Sequence, residues 1–176
     1  MRKLIAIRQA ILAMGILCLT ACATVGNRVA LHSIEFDAYR ETPDIDVLDY
    51  RYGEKEKVFF SPERERLKLG QTFKSGNITG FLPRGEFLYV KWRIKETGEV
   101  LEDRVDLRHR LPENLEKLNI HFVCHGQQLY VFLEWPWDGQ PWSKGQPQDR
   151  YKPVLGGEKR FDGQKIQQIY PDPVKQ

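Results

Sequence analysis

The chain has 176 residues, of which 27 are Lys or Arg and 24 are Asp or Glu, giving a formal net charge of +3. Hydrophobic residues make up 41% and charged residues 29%, which excludes a disordered polymer and a multi-span membrane protein. Three cysteines are too few for a disulfide scaffold, and 14 glycines and 10 prolines do not indicate a low-complexity chain. The length predicts one domain.

The first 21 residues are typical of an export signal. Arg2, Lys3 and Arg8 precede an uncharged, mostly apolar run over residues 9–21. This run is shorter than the roughly 20 apolar residues that a transmembrane helix needs. The alternative is that this segment forms a core helix of the mature domain, which agrees less well with basic residues followed by an apolar run. We therefore predict that residues 1–21 are a cleaved signal peptide.

The sequence LTAC at residues 19–22 resembles the lipobox of bacterial lipoproteins. The resemblance implies that Cys22 carries fatty acyl chains such as palmitate, and two or more such chains anchor a protein stably. The residue after the cysteine is Ala23. An Asp at this position would favour retention in the inner membrane, so Ala23 resembles an outer-membrane address facing the periplasm. Residues 22–28 then form an acylated tether, and residues 29–176 form one β domain.

Loss of the signal changes the charge balance. The signal holds three basic and no acidic residues, so the mature chain has 24 of each and no net charge. This balance offers no support for nucleic-acid binding, which needs a clustered basic surface. Cys124 is left without a partner for a disulfide, and we expect it to be a buried, slowly reactive strand residue.

The mature chain begins with short β candidates at residues 29–36, 47–52 and 58–60. Charge runs at 54–57 and 63–68 are typical of a solvated face, and the second could also form a helical turn.

The centre of the chain predicts two β-hairpins. Residues 87–94 alternate, with Leu88, Val90 and Trp92 on one face, and the hairpin continues to residue 107. The second hairpin covers residues 119–133, with a tight turn at Gly126. Its second strand is apolar on both faces, which is typical of a central strand.

The remaining segments complete a β-rich pattern. Residues 111–117 suggest a helical turn, and residues 165–170 form the last strand candidate before a proline-broken tail. Several short strands with turn signals between them predict an all-β fold, a single antiparallel β-sandwich or open barrel with at most short helical turns.

Catalytic motifs are not evident in the sequence. No serine lies in a nucleophile elbow, and no glycine-rich phosphate loop is present. On a strand, His121 and His125 share one face while Cys124 points to the other, which argues against a thiol site. The histidines and Cys124 also lack paired zinc-ligand spacing. We predict no enzymatic activity, no metal and no cofactor.

The tryptophan-rich segment WPWDGQPW at residues 135–142 is the one feature that favours partner contact. Tryptophan is enriched in interface hot spots, and the two prolines would stiffen the segment. Alternatively, the tryptophans fold back over the end of the β domain as part of its core. The candidate partner-binding residues are Trp135, Trp137, Asp138 and Trp142.

Eight short segments follow one another in a distinctive order: GFLP at 80–83, LYVKW at 88–92, Gly98, VDLR at 105–108, LP at 111–112, IHF at 120–122, QLYV at 128–131 and IYPD at 169–172. In this order they resemble small lipoproteins of type VI secretion systems, particularly those encoded beside phospholipase effectors. The similarity covers roughly residues 46–172. Each segment is a weak β pattern, so the order carries the resemblance.

The resemblance implies an immunity protein that binds and inhibits a cognate phospholipase effector at the membrane. Two alternatives stay open: an accessory lipoprotein that binds a structural partner in the envelope or secretion machinery, and an envelope enzyme. A stable complex with a neighbouring lipase would favour immunity, whereas one with a secretion-core protein would favour the accessory role. Turnover that is lost on changing one carboxylate would favour the enzyme.

The anchor can be tested with Cys22→Ala. This variant removes the acylated sulfur, so we expect an exported protein that no longer fractionates with membranes. The measurement is the distribution of the mature chain between periplasm and outer membrane. A variant that stayed in the outer membrane would show that the lipobox interpretation is wrong.

Overall fold

The computed structural model describes residues 29–137, 158–161 and 163–172. The signal peptide, Cys22 and the tether expected at 22–28 lie outside these residues. The strands are β1 Val29–Asp37, β2 Ile45–Glu54, β3 Lys57–Phe60, β4 Ser75–Pro83, β5 Phe87–Ile94, β6 Val100–Asp106, β7 Asn119–His125, β8 Gln128–Glu134, β9 Glu158–Phe161 and β10 Gln164–Tyr170. The helices are α1 Ala38–Glu41 and α2 Arg64–Lys68.

The strands form two sheets, which confirms the all-β prediction. The larger sheet has six strands in the order β4-β1-β7-β8-β10-β9, and the smaller has four in the order β3-β2-β5-β6. Buried side chains from both sheets belong to one apolar core. In the described part of the chain, neither helix is long and apolar enough to cross a bilayer.

Both predicted hairpins are present. β5 pairs with β6 and β7 pairs with β8, in antiparallel register throughout. Gly98 and Gly126 have φ angles of 71° and 55°, so each occupies the left-handed region that glycine adopts without strain. β8 lies between β7 and β10, as its two apolar faces indicated.

Alternation places the predicted side chains in the core. Leu88, Val90 and Trp92 of the smaller sheet are buried against the larger sheet. The Trp92 Nε1–H donates to the Gly126 carbonyl at 2.9 Å, so the indole joins the smaller sheet to the β7–β8 turn. Cys124 is also buried in this core, and burial raises the pKa of its thiol.

A buried hydroxyl links the two sheets near the start of β1. The Tyr52 oxygen accepts the Gly85 N–H at 2.5 Å and lies 3.3 Å from His32 Nε2. Burial lowers the pKa of His32, so the ring is neutral, and His32 Nδ1 lies 3.0 Å from the Ala30 carbonyl. That carbonyl takes the Nδ1 proton, which leaves Nε2 to accept from Tyr52. A Cβ at position 85 would approach the Tyr52 ring to 2.4 Å, so glycine is required there.

Two strands were not indicated by the sequence. β4 carries Gly76 and Gly80, which weaken its β pattern, yet it pairs with β1 along its whole length. β9 pairs with β10. The larger sheet also contains a parallel pairing, in which Ser33, Ile34 and Glu35 of β1 face Asn119, Ile120 and His121 of β7.

The helical turn expected at residues 111–117 is not formed. The segment makes separate turns, with Lys117 at a φ angle of 61°, which an α-helix does not contain. Leu111, Leu115 and Leu118 are all buried in the core between the sheets. Packing of these leucines therefore decides the path of the backbone, and the local helical preference of residues 111–117 is overridden.

The variant Trp92→Asp tests this core. Loss of the indole and burial of a carboxylate should lower the free energy of unfolding by at least ~3–5 kcal/mol. Chemical denaturation followed by far-UV circular dichroism measures this loss. Val100→Asp, on an exposed position of β6, is the control and should cost about 1 kcal/mol or less. Equal effects for the two variants would contradict the packing described here.

Candidate functional site

The outer face of the larger sheet carries a buried polar cluster. Glu35 on β1 is paired directly with His121 on the neighbouring strand β7, so both side chains point away from the core. The Asp37 carboxylate accepts the Arg40 N–H at 3.2 Å and caps α1, which begins where β1 ends. α1 thereby brings Glu41 over the same imidazole.

His121 lies between two carboxylates. Its Nδ1 is 3.1 Å from a Glu35 oxygen and its Nε2 is 2.9 Å from a Glu41 oxygen, and the side chain is only 2% exposed. Burial alone would lower the pKa of His121, but the hydrogen bonds from Glu35 and Glu41 outweigh it and raise the pKa to about 9. At neutral pH the ring is therefore an imidazolium that donates to both carboxylates.

The two carboxylates differ in their environments. Burial raises the pKa of Glu41, because desolvation of its charged form outweighs the attraction of His121. Burial acts in the same direction on Glu35, but its hydrogen bonds to His121 and Asn77 outweigh that effect and lower its pKa. The Asn77 amide donates to the second Glu35 oxygen at 2.6 Å. The charged form of Glu35 is thus the better stabilised of the two, and that of Glu41 is the more desolvated.

Glu134 extends the cluster across the sheet. It is buried, and one of its oxygens accepts the Asn119 amide at 3.0 Å. Ligand atoms of Glu35, His121 and Glu134 lie within 4.8 Å of one another, a spacing that could hold a cation. The imidazole would first have to lose its proton and its bond to Glu35, because a metal binds an unprotonated nitrogen. The hydrogen-bonding pattern therefore favours a structural ion pair over a metal centre.

Glu134 is the last residue of β8, and the tryptophan-rich segment follows it directly. The Trp135 N–H donates to the Lys165 carbonyl at 2.9 Å, and the Lys165 ammonium lies 4.4 Å from the centre of the Trp135 ring. Trp135 also packs against the apolar core. This residue therefore behaves as the core lid that the sequence left as an alternative.

Trp137 has a different environment. It is 53% exposed, only two residues beyond Trp135. Asp138 and Trp142, the other predicted contact residues, lie outside the described residues. The structure thus separates a tryptophan that fixes the start of the segment from one whose side chain is about half exposed.

A second apolar cluster lies beside the polar one on the same outer face. Val123, Phe132 and Ile166 are buried there, with Tyr130 packed against them. The Tyr130 and Phe132 rings stack with centroids 6.4 Å apart. This cluster explains why β8 is apolar on both faces.

An open cleft of about 430 Å³ lies on the smaller sheet, between the β2–β3 turn and β6. Three of its charged side chains have contacts within the protein. The Arg104 guanidinium lies 3.5 Å from the centre of the Phe87 ring, and Arg108 pairs with Asp106 at 2.5 Å.

The histidines and the cysteine of β7 point as the sequence predicted. Cys124 faces the core, while His121 lies on the outer face and His125 is exposed. A thiol–imidazole pair is therefore not formed among them. What sequence reasoning missed is the ion-pair partners of His121, because Glu35 and Glu41 are 86 and 80 residues away in the chain.

Comparison with protein-family models, curated proteins and solved structures finds no match for this chain.

The ion-pair cluster predicts a pH-dependent stability. The pKa of folded His121, about 9, exceeds the ordinary 6.5, so its contribution is complete below about pH 6.5 and is lost as pH rises through 9. His121→Gln should cost ~3–5 kcal/mol at pH 6, because it leaves buried carboxylates without their cation. It should also flatten the fall in stability between pH 6.5 and 9.

Urea denaturation at a series of pH values measures both effects. His125→Gln, an exposed change on the same strand, is the matched control and should keep the parent slope. A His121→Gln protein with the full parent slope would show that His121 is not the titrating group.

Proposed function

We propose that this protein is an outer-membrane lipoprotein facing the periplasm, an immunity protein that binds and inhibits a phospholipase effector of a type VI secretion system. Three features support the proposal: the lipobox ending at Cys22, the order of segments that resembles lipoproteins encoded beside such effectors, and the exposed Trp137. The exposed indole is the structural observation that carries it.

The position of Trp137 suits a binding hot spot. Trp135 holds the start of the segment against the core and against Lys165, so little freedom is left to lose at that point. Pro136 separates the two tryptophans and restricts the backbone further. A large exposed ring on a rigid base gains contact area on binding at low entropic cost.

Inhibition by occlusion requires a surface and no chemistry. The strongest cluster of titratable groups in the described residues is centred on His121, which is buried beneath Glu35 and Glu41 and so cannot reach a substrate. Its hydrogen bonds join β1, α1 and β7, which favours a structural role. These features agree better with stoichiometric binding than with turnover.

The inhibitor test mixes the acyl-free domain, residues 23–176, with the lipase encoded beside it. We expect a stable complex and loss of phospholipid hydrolysis at saturating domain. Trp137→Ala should weaken the complex by more than ~2 kcal/mol, about 30-fold in Kd, and leave the melting temperature nearly unchanged. Calorimetric titration and thermal unfolding give the two readouts.

Two further variants separate interface from core. Trp135→Ala should lower the melting temperature, because its ring packs on the core. Tyr39→Ala, another exposed aromatic, should change neither affinity nor stability appreciably. Undiminished hydrolysis at saturating domain would reject the inhibitor proposal and favour the accessory role in the envelope or secretion machinery.

A further inference from the structure

An apolar patch lies on the outer face of the larger sheet where β1 begins. Phe81 on β4 is 75% exposed and Val29 on β1 is 58% exposed. Leu31 is the direct cross-strand partner of Phe81, and Val29 is the partner of Pro83. Phe81 and Leu31 therefore share one face, and together with Val29 they form the patch.

The same face becomes polar with distance from this end of β1. The next outward pair is Ser33 and Thr79, whose hydroxyls hydrogen-bond at 3.1 Å. The pair after that is Glu35 and Asn77. At about 3.3 Å per residue, the surface changes from apolar to charged within roughly 13 Å of strand. Such a gradient is expected of a protein surface that meets a membrane at one end.

The position of the patch in the chain identifies what it meets. Val29 follows Cys22 by seven residues. A fully extended chain of that length spans at most about 25 Å. If Cys22 is acylated, as the proposed function requires, the start of β1 cannot lie farther than this from the bilayer surface.

A cation lies at the border of the patch. The exposed Lys117 donates its backbone N–H to the Leu31 carbonyl at 2.6 Å, and Glu116 accepts the Leu31 N–H at 3.1 Å. The Lys117 side chain can extend to lipid phosphates. A lysine beside a membrane places its ammonium among the phosphates while its aliphatic stem covers apolar surface. The Glu116 carboxylate is partly engaged by the backbone of β1.

We propose that the patch of Val29, Leu31 and Phe81 docks on the bilayer that holds the acyl chains, with Phe81 at the boundary between headgroups and hydrocarbon. The inference rests on the proposed anchor. It also gives the domain an orientation. β7 runs parallel to β1 and β8 antiparallel to β7, so Glu134 at the end of β8 lies level with Ser33, and the chain leaves β8 towards the end of the sheet at which β1 starts.

Trp135 and Trp137 therefore leave the sheet on its membrane side. A phospholipase must reach the lipid surface to act, and an inhibitor whose contact segment lies at that surface meets the enzyme there. Docking would thus restrict the domain to the layer in which the effector works, rather than leave it to rotate freely on its tether.

The test uses the full chain, exported and acylated, with Phe81→Cys carrying an environment-sensitive fluorophore. Val100→Cys is the matched control, because Val100 is an exposed apolar residue on β6 of the opposite sheet. Cys124 is buried with a raised thiol pKa, so the unsubstituted chain should take up little label. Both proteins are reconstituted into vesicles of phosphatidylethanolamine and phosphatidylglycerol that contain a lipid with a nitroxide near its headgroup.

We expect the fluorophore at position 81 to show a blue-shifted emission and quenching by the lipid nitroxide. The fluorophore at position 100 should show neither effect. If both proteins float with the vesicles but position 81 behaves like position 100, docking is wrong and the anchor stands. If neither floats, the anchor is wrong, and the docking inference falls with it. A shielded position 81 in the Cys22→Ala chain without vesicles would show that a second copy or another segment covers the patch.

Discussion

The pairing of β1 with β7 is the contact on which the larger sheet depends. β1 is bonded to β4 on one side and to β7 on the other, so loss of this contact would separate β4 from the rest of the sheet. Only three residue pairs form the parallel register. His121 reinforces it, because one imidazolium bonds Glu35 of β1 and Glu41 of α1 at the same time. We infer that this buried ion pair helps to specify β1 and β7 as neighbours.

That contact also decides where several exposed apolar and aromatic residues lie. Because β7 follows the direction of β1, β8 runs towards the end of the sheet at which β1 starts. The exposed residues Phe81, Val29 and Trp137 are thereby gathered towards the same end. The smaller sheet, with its open cleft, lies on the other side of the core.

The proposed function needs this arrangement. An anchored inhibitor is effective when its contact surface and its anchor are close together, because its target works on the lipid itself. Under the proposed function, the tether and the docking face would raise the local concentration of the inhibitor at the bilayer, in addition to the contacts of one tryptophan.

The sequence by itself determined the β class, both central hairpins and the inward faces of Trp92 and Cys124, because period-two alternation and turn glycines are local signals. Only the tertiary structure decided that Trp135 packs on the core while Trp137 is exposed, since two tryptophans two residues apart have the same local signature. It likewise decided the pairing of β4 with β1, the turns at residues 111–117 and the partners of His121. These features depend on contacts between residues that are distant in the chain. The free energy gained by burying leucines or by pairing a buried charge exceeds the local conformational preferences that a sequence displays.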